Sequence, residues 1–374
     1  MKQIFIVFIS CLLFFACSRS SRTIATDDVE TIIIPAEVVE GIENMVSEYE
    51  VIALENTSNS LLGSATKIRV VDDKVFVSDH YMAKKLVVFD RMGKYLYQIG
   101  RRGRGPGEYQ SIHDFEIDYV NREVLIVDLS GRKALIYDLD GRFKRYVTFD
   151  FIMGEMGLLG DGTLVNGFSA SAYYGSGSSD GDHKLLFFTP DGKTTQKFLK
   201  EDHPVKLRME ILDYLISKRD GNLSFAPQFH NMIYEVSTEG LTAIYKVEYS
   251  SDLLTRDKIL EMESDDFQKF TELQNSGKRI FTGTHAVSPQ WLCLSSGFGL
   301  FEYVFYDRFK KKPVRVADLL YGRRITIDED NWFWATGSSA VLIHGSDERE
   351  WTRAIRTASE NVDNNPVLVR YKLK

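Results

Sequence analysis

Val75-Phe-Val-Ser-Asp79 and Leu86-Val-Val-Phe-Asp90, the second followed by Gly93, return later in the chain as Val124-Leu-Ile-Val-Asp128 and Leu135-Ile-Tyr-Asp138, followed by Gly141. The offset is 49 residues at the first Asp and 48 at the second Asp and the Gly. Each copy reads as an apolar strand ending in Asp, a polar turn, a second apolar strand ending in aromatic-Asp, a turn around Gly, and one more strand. Asp90-Arg-Met-Gly93 and Asp138-Leu-Asp-Gly141 are hairpin signals, because Gly admits the positive φ that tight turns require.

Working outward, the unit recurs in weaker form. Leu185-Leu-Phe-Phe188 leads into Pro190-Asp-Gly192, and Asn222-Leu-Ser-Phe225 and Ile233-Tyr-Glu-Val236 lead to Glu239-Gly240. Trp291-Leu-Cys-Leu294 precedes Tyr303-Val-Phe-Tyr-Asp307. Ile325-Thr-Ile-Asp328, Asn331-Trp-Phe-Trp334 and Val341-Leu-Ile343 form a last copy. Six units of about 55 residues, each of four short strands, fit a propeller once insertions are allowed for. The expectation is an all-β, six-bladed β-propeller over residues 47–374. A β-sandwich does not demand internal repetition at this period, and a β-helix repeats over shorter coils. Ring closure would pair Tyr49–Leu54 with Val367–Tyr371, hiding edges that invite aggregation. Leu253 to Lys278 breaks the pattern: Leu254, Ile259, Met262, Phe267, Phe270 and Leu273 fall at roughly helical intervals, which predicts a short helical insertion at about 253–278. Val205 to Leu215 is a second candidate helix.

The first residues read differently. Ile4 to Ala16 is nearly all apolar, too short to span a bilayer as a helix, and follows a basic start at Lys2. This is the pattern of a signal peptide over residues 1–16. Phe14-Phe15-Ala16-Cys17 resembles a bacterial lipobox, with Phe14 where Leu is usual; it implies cleavage before Cys17 and lipidation of that residue. A polar stretch from Ser18 suggests a flexible tether over 17–46. With no acidic residue directly after Cys17, the expected address is the outer membrane, facing the periplasm, with cell-surface display as the alternative. Of the three cysteines, Cys11 leaves with the signal peptide and Cys293 lies in an apolar run, so no internal disulfide framework is expected. The chain is otherwise of globular composition, 44% hydrophobic and 26% charged over 374 residues. A net charge of −7 speaks against a nucleic-acid partner.

Ile99-Gly-Arg-Arg-Gly-Arg-Gly-Pro-Gly-Glu-Tyr109 resembles the Gly-rich segment of NHL-type propellers. With the Phe89-to-Gly93 turn, Asn231-Met-Ile-Tyr-Glu235 and Asn365 to Lys372, the chain is similar over residues 47 to 374 to the six-bladed propeller lipoproteins of Bacteroidetes. That resemblance implies a fold and a cellular setting but no activity.

Candidate sites are few. Arg101, Arg102 and Arg104 form the densest positive cluster of the propeller, able to receive a carboxylate or an acidic sugar. The structural alternative is a glycine-built crossover whose arginines pair with nearby acids. His80, Tyr81 and Tyr109 are the closest imidazole and aromatic groups, and complete the candidate ligand-binding set. Asp79 and Asp128 recur, which argues for a turn-capping role in each blade. Tyr173, Tyr174 and the Gly/Ser loop 175–183 are a further surface candidate. Asp191-Gly-Lys-Thr194 lacks the earlier glycine of a P-loop and reads as a hairpin. No nucleophile elbow, His-x-x-x-His pair or Cys/His cluster occurs, so no catalytic residue, metal or cofactor is assigned. The leading reading is a monomeric binding or scaffold module, held to a membrane through Cys17 and recognising a protein or glycan. Its rival is a metal-dependent lyase or hydrolase in the central channel, which would need groups such as His80, His113, His230 and His285 to converge. A purely structural envelope protein is the third reading.

Overall fold

The computed structural model describes residues 23–24, 28–36, 42–149, 151, 153–168, 183–200, 216–219, 222–250, 272, 281–296, 302–316, 325–337, 350–359 and 365–374. They form a six-bladed β-propeller. Blade 1 runs Lys67–Val71, Lys74–Asp79, Lys85–Asp90, Tyr95–Ile99, from the axis outward. Blade 2 is Asp114–Asp118, Glu123–Asp128, Lys133–Asp138, Phe143–Thr148, and blade 3 is Glu155–Leu158, Leu164–Gly167, His183–Phe188, Thr194–Lys200. Blade 4 is Ile216–Arg219, Asn222–Phe225, Met232–Ser237, Gly240–Tyr249, and blade 5 is Phe281–Val287, Trp291–Ser296, Glu302–Asp307, Lys312–Val316. Blade 6 takes Ile325–Ile327, Phe333–Gly337 and Val367–Leu373 from the C-terminal end and its outermost strand, Val46–Ala53, from the other. The two segments expected to close the ring do pair, with Val369 opposite Val51 and Tyr371 opposite Tyr49.

The apolar strands follow from where their faces go. Successive side chains on a strand point to opposite sides, and both sides of a blade are covered by neighbours, so the strands read as near-continuous apolar runs. Val75 and Val77 pack toward blade 6, against Trp332, Trp334 and Leu368, while Phe76 between them packs toward blade 2, against Phe115 and Val124. Six buried clusters of this kind fill the gaps between adjacent blades.

The Gly turns are one motif repeated. Gly93 donates to the Asp90 carbonyl at 3.0 Å and Gly141 to that of Asp138 at 3.0 Å, each with a register shift in the flanking strand pair. This is a hairpin closed by a bulge with the glycine left-handed, at φ 86° and 85°. Gly93 also lies against the next blade: a Cβ there would stand 2.3 Å from the Ala53 carbonyl oxygen.

Two expectations change. Residues 17–46 are not a tether throughout. Glu30–Ile34 adds in parallel to the outer strand of blade 4, Thr23–Ile24 pairs with the same strand, and Ile42 is buried among the side chains of blades 5 and 6. Burial of Ile32 and Ile34 against Tyr245, Val247 and Val304 supplies the driving force. The third strand of blade 6 is Val367–Leu373; Val341–Ile343 lie outside the described residues, as do the expected helical segments 205–215 and almost all of 253–278. A helix does occur at Glu350–Ser359, inside blade 6, where Ile355 is buried against the closing strands.

Candidate binding face

Strand direction gives the ring two distinct faces. Every inner strand starts at the face where blade-to-blade connections cross (the connection face) and ends at the face of the tight hairpins (the hairpin face). In blade 1, Asp79 pairs with Lys85 and Leu86 with Ile99, so the turn after Asp79 and the Arg-rich connection after Ile99 leave the sheet side by side on the connection face.

Asp79 organises that corner. Its buried carboxylate accepts hydrogen bonds from the amides of Gly63 at 2.7 Å, Ser64 at 3.0 Å, Tyr81 at 3.1 Å, Met82 at 2.9 Å and Ala83 at 3.1 Å. Asp128 does the same in blade 2 for Gln110, Ser111 and Gly131. The recurring Asp thus caps its turn and also ties down the chain arriving from the previous blade. Tyr81 is held outward, 45% exposed, beside exposed Met82 and Leu61; His80 is half-buried with its ring 4.0 Å from that of Tyr81.

The Arg-rich connection is a small parallel ladder, Arg101–Arg102 with Glu108–Tyr109. Strand alternation separates its side chains. Tyr109 turns inward and is fully buried between blades 1 and 2, so it packs the core and does not join the surface set expected of it. Glu108 bends back over the turn: it accepts from Arg101 Nε at 2.7 Å and from the Gly105 amide at 2.8 Å. These bonds, the Gly105 one foremost, hold its carboxyl below the ordinary carboxylate range. A Cβ at Gly103 would fall 2.0 Å from Glu108 Oε2, so a side chain there would displace the Glu108 carboxylate from the turn. Arg102 and Arg104 are exposed and make no ion pair among the described residues. The glycine-built crossover and the positive surface therefore coexist: one arginine braces the turn, and two face solvent.

A second charged group, missed in the sequence, lies in the channel. Lys67 Nζ is 2.8 Å from Asp114 Oδ1 and 3.4 Å from Glu116 Oε2, and Arg69 grips Glu116 with two 2.8 Å bonds. Burial would raise the Glu116 pKa, but the Arg69 and Lys67 charges overcome it and hold it down to about 2. Partners lie 47 residues apart, one repeat, so complementary charges at the repeat offset were the available signal. Below them, at the hairpin face, a cleft of about 260 Å³ is lined by Arg69, Tyr119, Ser288, Pro289, Thr326 and Glu329, among others.

The histidines do not converge. His285, on the inner strand of blade 5, is buried, with Nε2 2.7 Å from Ser224 Oγ and Nδ1 2.8 Å from the Gly283 carbonyl oxygen. Burial pushes its pKa down to about 4, so it is neutral, donating from Nδ1 and accepting from Ser224. Both side chains are buried, and the bond between them ties blade 4 to blade 5. His80 and His113 sit by the connection face of blades 1 and 2, and His230 in a turn of blade 4. Among the described residues no three His, Cys, Asp or Glu gather closely enough to hold a metal ion. Cys17, Tyr173 and Tyr174 lie outside the described residues.

Two solved structures share this architecture. A protein of Bacteroides fragilis described as exported aligns with TM-score 0.76 at 17% identity, covering 92% of this chain and 99% of its own. A DUF4221 family member of Bacteroides vulgatus aligns with TM-score 0.52 at 9% identity, covering 90% and 98%. At such identities the likeness is one of fold. No curated protein matches the chain in sequence. Residues 39–372 match a family described as "Domain of unknown function (DUF4934)".

Proposed function

The chain belongs to the DUF4934 family, and on that footing we propose that it is a binding propeller of the bacterial envelope that receives an acidic group of a protein or glycan on its connection face. The observation that carries this reading is the pair of exposed arginines, Arg102 and Arg104, which make no ion pair among the described residues and share the connection face with outward-facing Tyr81 and Met82, on a backbone fixed by Asp79 and Glu108. A guanidinium recognises a carboxylate through two parallel hydrogen bonds, and an aromatic edge beside it offers stacking area. The corner is preorganised, which lowers the ordering cost of binding. In the channel, the Lys67, Arg69, Asp114 and Glu116 charges are spent on one another.

Envelope placement rests on the apolar run 4–16 followed by Cys17, the lipidated residue in this reading, and is supported by the description of the B. fragilis relative as exported. An outer-membrane anchor at Cys17 would let a monomeric propeller present its ligand face in the periplasm. The test is an array of acidic and neutral glycans, with a parallel pull-down from envelope extract, using wild type and the double variant Arg102→Glu, Arg104→Glu. Binding to acidic species that the double variant loses supports the reading. Equal binding by both proteins, or none by wild type, overturns it.

A further inference from the structure

We propose that the hairpin face lies on the lipid surface, so that Arg102, Arg104 and Tyr81 point away from the membrane; this rests on the anchored reading above. Among the described residues, the three most exposed apolar side chains of that face are Met92 at 83%, Phe309 at 75% and Val120 at 73%. Each stands in a tight hairpin: Met92 between the outer strands of blade 1, Phe309 between those of blade 5, Val120 between the inner strands of blade 2. All three hairpins open on the same side of the ring. Blade 5 is three blades from blade 2, so the three points are spread around the circle and not in line. A flat, extended surface touches all of them at once, where a compact partner on one blade would reach one or two.

Each tip stands among charged residues: Phe309 is flanked by Arg308, Lys310 and Lys311, Met92 by Arg91 and Lys94, and Val120 is followed by Arg122. These cations pair with acids of the same molecule, Arg122 with Asp72 at 2.6 Å, Arg91 with Asp330 at 3.5 Å and Lys310 with Asp307 at 3.3 Å. The face therefore carries mixed charge, and its apolar tips, not a positive field, supply the contact with a headgroup layer.

The path of the N-terminal segment gives an independent reason. Thr23 and Ile24 pair with Leu241 and Thr242, at the start of the outer strand of blade 4, directly after its hairpin turn. The chain therefore joins the ring at the rim of the hairpin face. Five residues, 18–22, lie between Cys17 and Thr23, and the six steps of chain, fully extended, span about 20 Å. A lipid on Cys17 holds this rim within that distance of the bilayer.

The experiment uses the full chain on phosphatidylethanolamine–phosphatidylglycerol vesicles, with an environment-sensitive fluorophore on Met92→Cys, Phe309→Cys or Met82→Cys. Cys293 is buried and does not compete for label. A blue shift at 92 and 309, with emission lost when nitroxide lipid is added, and no change at 82, is the expected result. A shift at 82, or at none of the three while protein is vesicle-bound, overturns the face assignment and leaves the anchor standing. Flotation of Cys17→Ser equal to wild type, or no acyl group on Cys17, overturns the anchor, and the label pattern still decides the face. If no variant binds vesicles, both fail.

Discussion

Arg69 and Glu116 meet through two parallel 2.8 Å hydrogen bonds, Nε to Oε1 and Nη2 to Oε2, and so bolt the innermost strand of blade 1 to that of blade 2. Lys67 adds a third cationic contact to the same carboxylate. Removing one partner from such a pair strands the others in a low-dielectric site. Glu116→Gln should lower stability by about 3–5 kcal/mol, read from chemical denaturation. A change of less than about 1 kcal/mol would show the pair to be solvated.

The same carboxylate gives an acid limit. Its folded pKa, about 2, lies below its ordinary value, so the stability it contributes is complete above about pH 4.5 and is lost as pH falls toward 2. Melting temperature should drop through that window, and the drop should shrink in Glu116→Gln.

His285 acts at milder acidity. Its neutral ring is fixed between Ser224 and the Gly283 carbonyl, and protonation would put a cation in the gap between blades 4 and 5. A base with its pKa depressed to about 4 binds fewer protons folded than unfolded, so stability declines as pH falls from about 6.5 to about 4. His285→Gln should flatten the melting curve in that range. NMR titration finding the ring protonated at pH 6 in the folded protein would contradict the assignment.

Asp79→Ala leaves five backbone amides without their acceptor. The expected loss is about 2–4 kcal/mol, with faster amide exchange at Gly63, Ser64 and residues 81–83. Unchanged exchange there would show that water replaces the carboxylate without cost.

Cys293 should stay silent toward thiol reagents until the protein unfolds, because burial among Tyr303, Phe305 and Tyr371 raises its thiol pKa well above the ordinary value. Stoichiometric modification of the native protein would contradict the packing around it.

The sequence exposed what repeats and hid what occurs once. The Asp79 and Asp128 caps were legible because one turn needs the same acceptor in every copy, and Gly93 and Gly141 because one bulge needs the same positive φ. Of the candidate ligand-binding set, Tyr81, Arg101, Arg102 and Arg104 are exposed, whereas Tyr109 is buried. Its burial depends on the two-residue ladder with Arg101–Arg102, too short to leave a period. Glu30–Ile34 was missed although Thr31-Ile-Ile-Ile34 is β-branched, because a strand that pairs with residues more than 200 positions away leaves no local trace. Val367–Leu373 was seen as the closing partner, yet its place as third strand was obscured by the helix-bearing stretch before it.

The closed ring also sets an order of events. Glu50 and Arg370 are joined across 320 residues, so the outer strand of blade 6 must wait for a partner made that much later. At about 5–20 residues per second the interval is on the order of tens of seconds. Until then the outer strand Val46–Ala53 has no neighbour in its own blade, and Trp334, once made, waits for Leu368 of the closing strand to cover it. If the chain crosses a membrane before folding, that delay is an advantage: no finished ring can form to block its passage, and strand Val367–Leu373 closes the circle on the far side.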